Sequence, residues 1–171
     1  MMAMTANCKL KINGLRAKPA GLTLIELVVV VLLLAIVSAI AMPRFANTLN
    51  STNVKGAAQR IARDMALVRS WARTTSQSQS ISFDTVHNTY TMSEVPNADH
   101  STSSNTVALS DGTLRATLTS ANFGAGSTTL TFNGYGVPIG LPSTGGRVGV
   151  SSGSTSNTIL VDPISGFVTI Q

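Results

Sequence analysis

Apolar and polar positions fall into three successive patterns along the chain. From Leu22 to Met42 there are 21 residues, of which only Glu26 can carry a charge. At 1.5 Å per residue, a helix of that length crosses the hydrocarbon core of a bilayer. From residue 44 to 73 the pattern becomes periodic. Val54, Ala57, Ala58, Ile61, Met65, Val68 and Ala72 recur at steps of three and four, with Leu67 and Trp71 beside them. Thr52, Lys55, Gln59 and Arg63 fall on the other side, and Arg60 and Asp64 are four apart, within reach of a weak pair. The spacing predicts an amphipathic helix whose apolar stripe something else must cover. Trp71 is expected where helix meets sheet, and the Thr-Thr-Ser-Gln-Ser-Gln run at 74–79 ends the helix.

The third pattern is short and alternating. Strands are predicted at 80–84 and 89–92, joined by a turn near His87-Asn88. Others are predicted at 107–109 and 114–118 around Asp111-Gly112, and at 128–132 leading through Asn133-Gly134-Tyr135-Gly136 into 137–139. The last are 147–150 and a terminal hairpin of 158–161 with 167–170. Residues 93–105 and the Ser/Gly-rich 151–157 read as loops. About seven or eight short strands at such spacing imply antiparallel sheets, arranged as a small sandwich. The expected fold class is therefore α+β: a long N-terminal transmembrane and amphipathic helix with a C-terminal antiparallel β head. The expected divisions are a leader at 1–21, a membrane helix at 22–43, its amphipathic continuation at 44–75 and a head at 76–171.

Charge changes how this pattern is oriented. Lys9, Lys11, Arg16 and Lys18 precede the apolar run with no acid among them. An excess of cations on one flank keeps that flank in the cytoplasm and sends the rest across. The formal net charge of +5 is mostly leader: without it, eight cations face seven acids. A basic isoelectric point is then no sign of nucleic-acid affinity. Residues 44–73 carry six cations against Asp64, whereas 74–171 carry Arg115 and Arg147 against five acids. Cys8, the sole cysteine, lies in the leader, so a chain without the leader forms no disulfide and no thiolate metal site.

Glu26 is the anomaly. A carboxylate in hydrocarbon costs a few kcal/mol, about 2.5–3.5 on insertion scales for a central acid, and so marks function. Gly21 followed by Leu-Thr-Leu-Ile-Glu, with a basic leader, an apolar run and Pro43, resembles the processing site of type IV pilin-like proteins. The resemblance implies that a prepilin peptidase cuts after Gly21 and methylates the new N-terminus at Leu22. Glu26 would then be the fifth mature residue, although the first is Leu where the family usually has Phe. Cleavage places an α-amine inside the apolar layer, where it and the Glu26 carboxylate are each costly alone. Pairing the Glu of one subunit with the amine of another relieves both and sets the stagger of otherwise featureless helices. Pro43 lacks a donor and is expected to kink or locally unwind the helix.

The run Ala57 to Arg73, followed by Ile81-Ser-Phe-Asp, resembles the GspH/FimT group of minor pilins and type II secretion pseudopilins. Thr129-Leu-Thr-Phe-Asn-Gly-Tyr-Gly-Val-Pro is similar to a hairpin of that group. The resemblance implies a filament subunit whose partners are the inner membrane, prepilin peptidase and other pilins or pseudopilins. Some members bind DNA through an arginine-bearing tail, but Ser165–Gln171 holds no arginine. DNA capture is the alternative function, with nucleic acid as its partner and Arg60, Arg63, Arg69 and Arg73 as the remaining basic candidates. On a helix these do not form one stripe, and they suit electrostatic contact with acidic headgroups or acidic heads of neighbours. A third reading is a secreted domain cut after Ala41, which leaves Glu26 unexplained.

No chemistry emerges beyond this. His87 and His100 stand thirteen apart without metal-ligand spacing to an acid, and Glu94 and Asp99 share a polar loop. There is no nucleophile elbow, and the glycines at 124–126 and 134–136 are in strand context. No catalytic residue, cofactor or metal is expected.

Overall fold

The computed structural model describes residues 21–93, 95, 105–110 and 114–171. Residues 1–20 of the expected leader, with Cys8, and the expected Asp111-Gly112 turn, Glu94, Asp99 and His100 lie outside these residues. Two compact units divide the chain, one ending at Ile40 and the other running from Ala41 to Gln171.

A single helix, α1, spans Leu24–Thr75. Thr23 caps it: the Glu26 amide donates to Thr23 Oγ1 at 3.3 Å, and the Leu27 amide to the Thr23 carbonyl at 3.2 Å. Thr-x-x-Glu is the capping-box spacing, in which the cap hydroxyl takes an otherwise orphaned amide. The helix continues through position 43, so no unwound segment interrupts α1. Within the apolar run, the Ser38 hydroxyl donates to the Leu34 carbonyl at 2.7 Å, which satisfies it inside its own helix.

Nine strands follow among the described residues: β1 (Gln79–Asp84), β2 (Thr89–Met92), β3 (Asn105–Ala108), β4 (Thr117–Asn122), β5 (Thr129–Phe132), β6 (Pro138–Ile139), β7 (Gly146–Ser152), β8 (Thr155–Val161) and β9 (Val168–Ile170). They form two antiparallel sheets, ordered β3-β2-β1-β5-β6 and β4-β7-β8-β9. The fold is a long N-terminal apolar helix followed by an antiparallel β head.

One core joins helix and sheets. All seven residues of the α1 stripe, Val54 to Ala72, have no solvent exposure. They cluster with Ile81, Tyr90, Leu130 and Phe132 of the first sheet and Leu118, Val148, Val150, Ile159 and Val161 of the second. β1, β2, β5 and β7 bury alternate residues, as a pleated surface with one dry face must. Trp71 packs half-buried at the core margin, while Leu67 is exposed. Phe83 stacks on Phe123 at 5.6 Å between ring centres and contacts Tyr90 at 5.7 Å.

The two sheets are also sewn together by polar atoms. Asn88, in the left-handed region at φ 57°, donates from Nδ2 to the Ala116 carbonyl at 2.8 Å and accepts from the Leu118 amide at 2.6 Å. Asparagine tolerates that conformation and supplies the paired donor and acceptor of a peptide unit.

Two readings of the sequence need correction. Residues 151–157, read as a loop, are the ends of β7 and β8 with a two-residue turn at Gly153-Ser154, in register Ser152 opposite Thr155. Serine and threonine alternate there as outward strand residues, and Gly-Ser is a tight-turn dipeptide. The strand placed at 114–118 runs instead over Thr117–Asn122 and holds a bulge between Leu118 and Ser120. The extra residue breaks the alternation that would have revealed it.

Candidate assembly site

The N-terminal candidates share one environment. Every residue from Gly21 to Ile40 is exposed on the isolated chain, Glu26 included. Leu22, Leu24 and Ile25 present apolar side chains directly beside the carboxylate-bearing turn. By length and composition α1 can cross a membrane, with an 18-residue window of mean hydropathy 3.0. Glu26 stands in the first turn of α1, where the unpaired amides of a helix start favour a negative group. The Thr23 cap escaped the sequence pattern of apolar and charged residues; its signal was the Thr23-x-x-Glu26 spacing itself.

The four candidate arginines of α1, Arg60, Arg63, Arg69 and Arg73, do not form one cluster: Arg69 and Arg73 line one groove, and Arg60 and Arg63 do not line it. Arg60 Nε donates to Asp64 Oδ2 at 3.0 Å. Tyr90 donates its hydroxyl to that same oxygen at 2.5 Å. Asp64 is thus a buried carboxylate held by a cation from its own helix and a phenol from β2. Hydrogen bonding to Asp64 raises the Arg60 pKa. Burial, followed by the bond to Asp64, pushes the Tyr90 phenol well above its ordinary value. The pair expected to be weak is therefore the surface end of a three-residue tie between helix and sheet. Sequence offered one hint: Asp64 is the lone acid of the basic stretch 44–73 and precedes the stripe residue Met65.

Arg69 is equally engaged within the head. Its Nε donates to the Gly136 carbonyl at 3.0 Å, and its guanidinium lies 4.6 Å from the Phe167 ring centre. It clamps the turn after β5 to the residue before β9, with cation–π attraction on one side and a hydrogen bond on the other. Glycine is needed at the two turn positions that meet the helix end. A Cβ on Gly134 would lie 2.6 Å from the Ser76 main chain, and one on Gly136 would lie 2.6 Å from the Arg73 stem. Gly136 also has φ 74°, which disfavours any side chain. Arg63 and Arg73 are exposed and provide the free positive charge of this face. Beside Arg73, a groove of about 480 Å³ is lined by Ser76, Asn133, Gly134 and Tyr135.

The remaining candidates are local. His87 Nδ1 lies 2.6 Å from Asp84 Oδ2, and the Asp84 side chain also accepts from the Val86 and His87 amides. Those bonds, the His87 amide first, lower the Asp84 pKa and close the β1–β2 turn. No group of three or more His, Cys, Asp or Glu that could hold a metal occurs among the described residues.

The model of the type II transport protein GspH family matches residues 57–166. The chain belongs to the GspH family. The prokaryotic N-terminal methylation motif matches residues 16–42, a span that contains Gly21, Leu22 and Glu26. Among solved structures, the type IV minor pilin FimU of Pseudomonas aeruginosa (strain PAO1) is similar at 18% identity and a TM-score of 0.48. That similarity covers 71% of this chain and 88% of FimU. No curated protein sequence matches this GspH-family chain. Membership makes it a pilin-like structural subunit and implies processing at the methylation motif and assembly with other pilins.

Proposed function

We propose that the chain is a minor pilin or pseudopilin, held in the inner membrane with its head in the periplasm and drawn into a pilus or type II secretion pseudopilus. Prepilin peptidase cleaves between Gly21 and Leu22, and the Leu22 amine is methylated. Glu26 pairs with the N-terminal amine of a neighbouring subunit and sets the stagger. Pro43, which removes one main-chain donor, provides the point at which α1 adjusts between membrane and filament. Arg63 and Arg73 contact acidic surfaces of neighbours. The observation that carries this reading is the coupling, in one chain, of a methylation motif at 16–42 with a GspH match at 57–166.

The test is the mature N-terminus, determined by mass spectrometry on protein from cells that contain a prepilin peptidase. N-methylated Leu22 is the expected result. A chain beginning at Met42 would make it a secreted domain and strip Glu26 and Pro43 of these roles. An uncut chain in such cells would make it a plain membrane-anchored head.

A further inference from the structure

The apolar run of α1 ends at Met42, and the buried stripe begins at Val54. Residues 44–53, which lie between them, hold no acid. Arg44, Phe45 and Leu49 are exposed there, Phe45 at 68%. Phe45 and Leu49 are four apart and share one side of the helix. The head reaches this stretch with the β7–β8 turn, which fits against Asn50 so closely that a Cβ on Gly153 would collide with the Asn50 side-chain amide. The Ser152 hydroxyl lies 3.4 Å from Asn50 Oδ1 and donates to the Arg115 carbonyl at 3.1 Å. Leu114 packs on the same part of α1, since a Cβ on Gly56 would sit 3.6 Å from Leu114 Cδ2. Asn50, the β7–β8 turn and Arg115 thus form the end of the head at which the chain enters it.

This end is basic. Arg44, Lys55 and Arg115 are exposed, and none has an acidic partner among the described residues. Asp111, outside the described residues, precedes Arg115 by four; counted against it, two cations remain in surplus. The described acids of the head are engaged elsewhere. Asp64 is buried against Arg60 and Tyr90, and Asp84 is held by the amides of its own turn. Asp162 follows the far end of β8, where its amide bonds Phe167 and Phe167 lies over Arg69. Arg69 is nineteen residues, about 28 Å of helix, beyond Asn50. Arg115 is also held at φ 39°, in the left-handed region. Any side chain is strained there and glycine is not, so the local backbone does not call for arginine.

We infer that this end of the head is a docking surface for the anionic phospholipid headgroups of the leaflet that α1 enters. The inference rests on the membrane-anchor reading given above and adds a second contact to it. The occupant follows from the chain itself, because the apolar run that crosses the bilayer begins at this end. Asn50 is about 12 Å of helix past Met42. The headgroup layer takes up about 5–8 Å of that distance. The remainder is shorter than the Debye length of about 8 Å at physiological ionic strength. Lys55 starts further out, but side chains on a helix lean toward its N-terminus and so toward the lipid. A cation held near an anionic surface favours contact by about fivefold, an attraction that zwitterionic lipid does not offer. Phe45 stands one turn past the run, where aromatic rings settle between hydrocarbon and water.

The test uses the full chain with Cys8→Ser, reconstituted in phosphatidylcholine vesicles with or without phosphatidylglycerol. A fluorophore is attached at Ser154→Cys, in the β7–β8 turn, or at Ile164→Cys, exposed beyond the far end of β8. Quenching by headgroup-spin-labelled lipid reports contact with the surface. About threefold stronger quenching at 154 is expected when phosphatidylglycerol is present, with no difference at 164. High salt should abolish the increase, and so should Lys55→Glu with Arg115→Glu. Arg115→Gly should raise the thermal transition by relieving the strain at φ 39°, yet reduce the quenching increase; a purely structural role would not lower it. Flotation with the vesicles checks the anchor separately. A chain that floats in both lipids but shows equal quenching at 154, or quenching indifferent to salt and charge reversal, overturns the docking surface and leaves the anchor standing. A chain that floats in neither overturns the anchor reading and the docking surface with it.

Discussion

Two stretches of α1 are both apolar, yet they are apolar in different ways. From Leu24 to Ile40 the large side chains point in every direction and all are exposed on the isolated chain. From Val54 to Ala72 seven side chains line one face and all are buried, while Lys55, Gln59 and Arg63 remain outside. Uniform apolarity calls for an apolar environment on all sides. A stripe needs only one cover, which the two sheets provide. The same secondary structure thus serves two kinds of burial, one inside the chain and one that requires lipid or other subunits.

The largest expected effect tests this contrast directly. Ile61→Ala should lower head stability by about 2–5 kcal/mol, because it opens a cavity in a closed core. Leu33→Ala should change it by less than about 0.5 kcal/mol, as expected for an exposed position. Denaturant titration of the two variants measures both. A comparable loss from Leu33→Ala would mean that the apolar run packs on the head and would end the distinction.

Next comes the polar tie across the core. Tyr90→Phe leaves the buried Asp64 with Arg60 alone and should cost about 1–3 kcal/mol. The tie also has a pH signature. The folded phenol holds its proton more firmly than the unfolded one, whose pKa is near 10.0. Its contribution is therefore complete below pH 10.0 and is lost as pH rises above that value. Thermal melts of Tyr90→Phe should lack the part of the alkaline loss that the parent protein shows.

Arg69 sharpens the comparison among cations of one helix. Arg69→Ala removes both the Gly136 hydrogen bond and the Phe167 stack, and should cost about 1–2 kcal/mol. Arg63→Ala should leave the head unchanged, since that side chain is exposed. The smallest effect is expected at the turns. Asp84 and Asp162 each accept main-chain hydrogen bonds, and their pKa values fall below the ordinary 3.8. Stability from these groups is present above pH 3.8 and disappears as pH falls below it. Asp84→Asn with Asp162→Asn should flatten the acid limb of a stability–pH profile.

Much of this was legible in the residues themselves, and for definite reasons. The α1 stripe was readable because a helix repeats every 3.6 residues, and seven apolar positions in phase with that repeat fit no strand period. β2 at 89–92 was readable because strict alternation survives in it. The region around 117–122 was not, because a bulge breaks the alternation, and 151–157 was hidden because its strand residues are serine and threonine. At the candidate site, the methylation motif over residues 16–42, which contains Gly21, Leu22 and Glu26, was visible in linear order, since its residues are neighbours along the chain. The partners of Arg60 and Arg69 were divided by the same logic. Asp64 lies four residues from Arg60 on one helix, but Gly136 and Phe167 lie far along the chain from Arg69.

By itself the sequence determined the local periods: where a helix runs, which face of it is dry, where it starts and stops, and which residues form the methylation motif. Only the tertiary structure decided which surfaces meet. It placed the Tyr90 hydroxyl on Asp64, seated Arg69 between two turns, and let Asn88 bridge the sheets. Periodicity is a property of neighbours along the chain and can be read in order. A contact between distant residues depends on how the sheets are ordered and registered, and no local pattern carries that information.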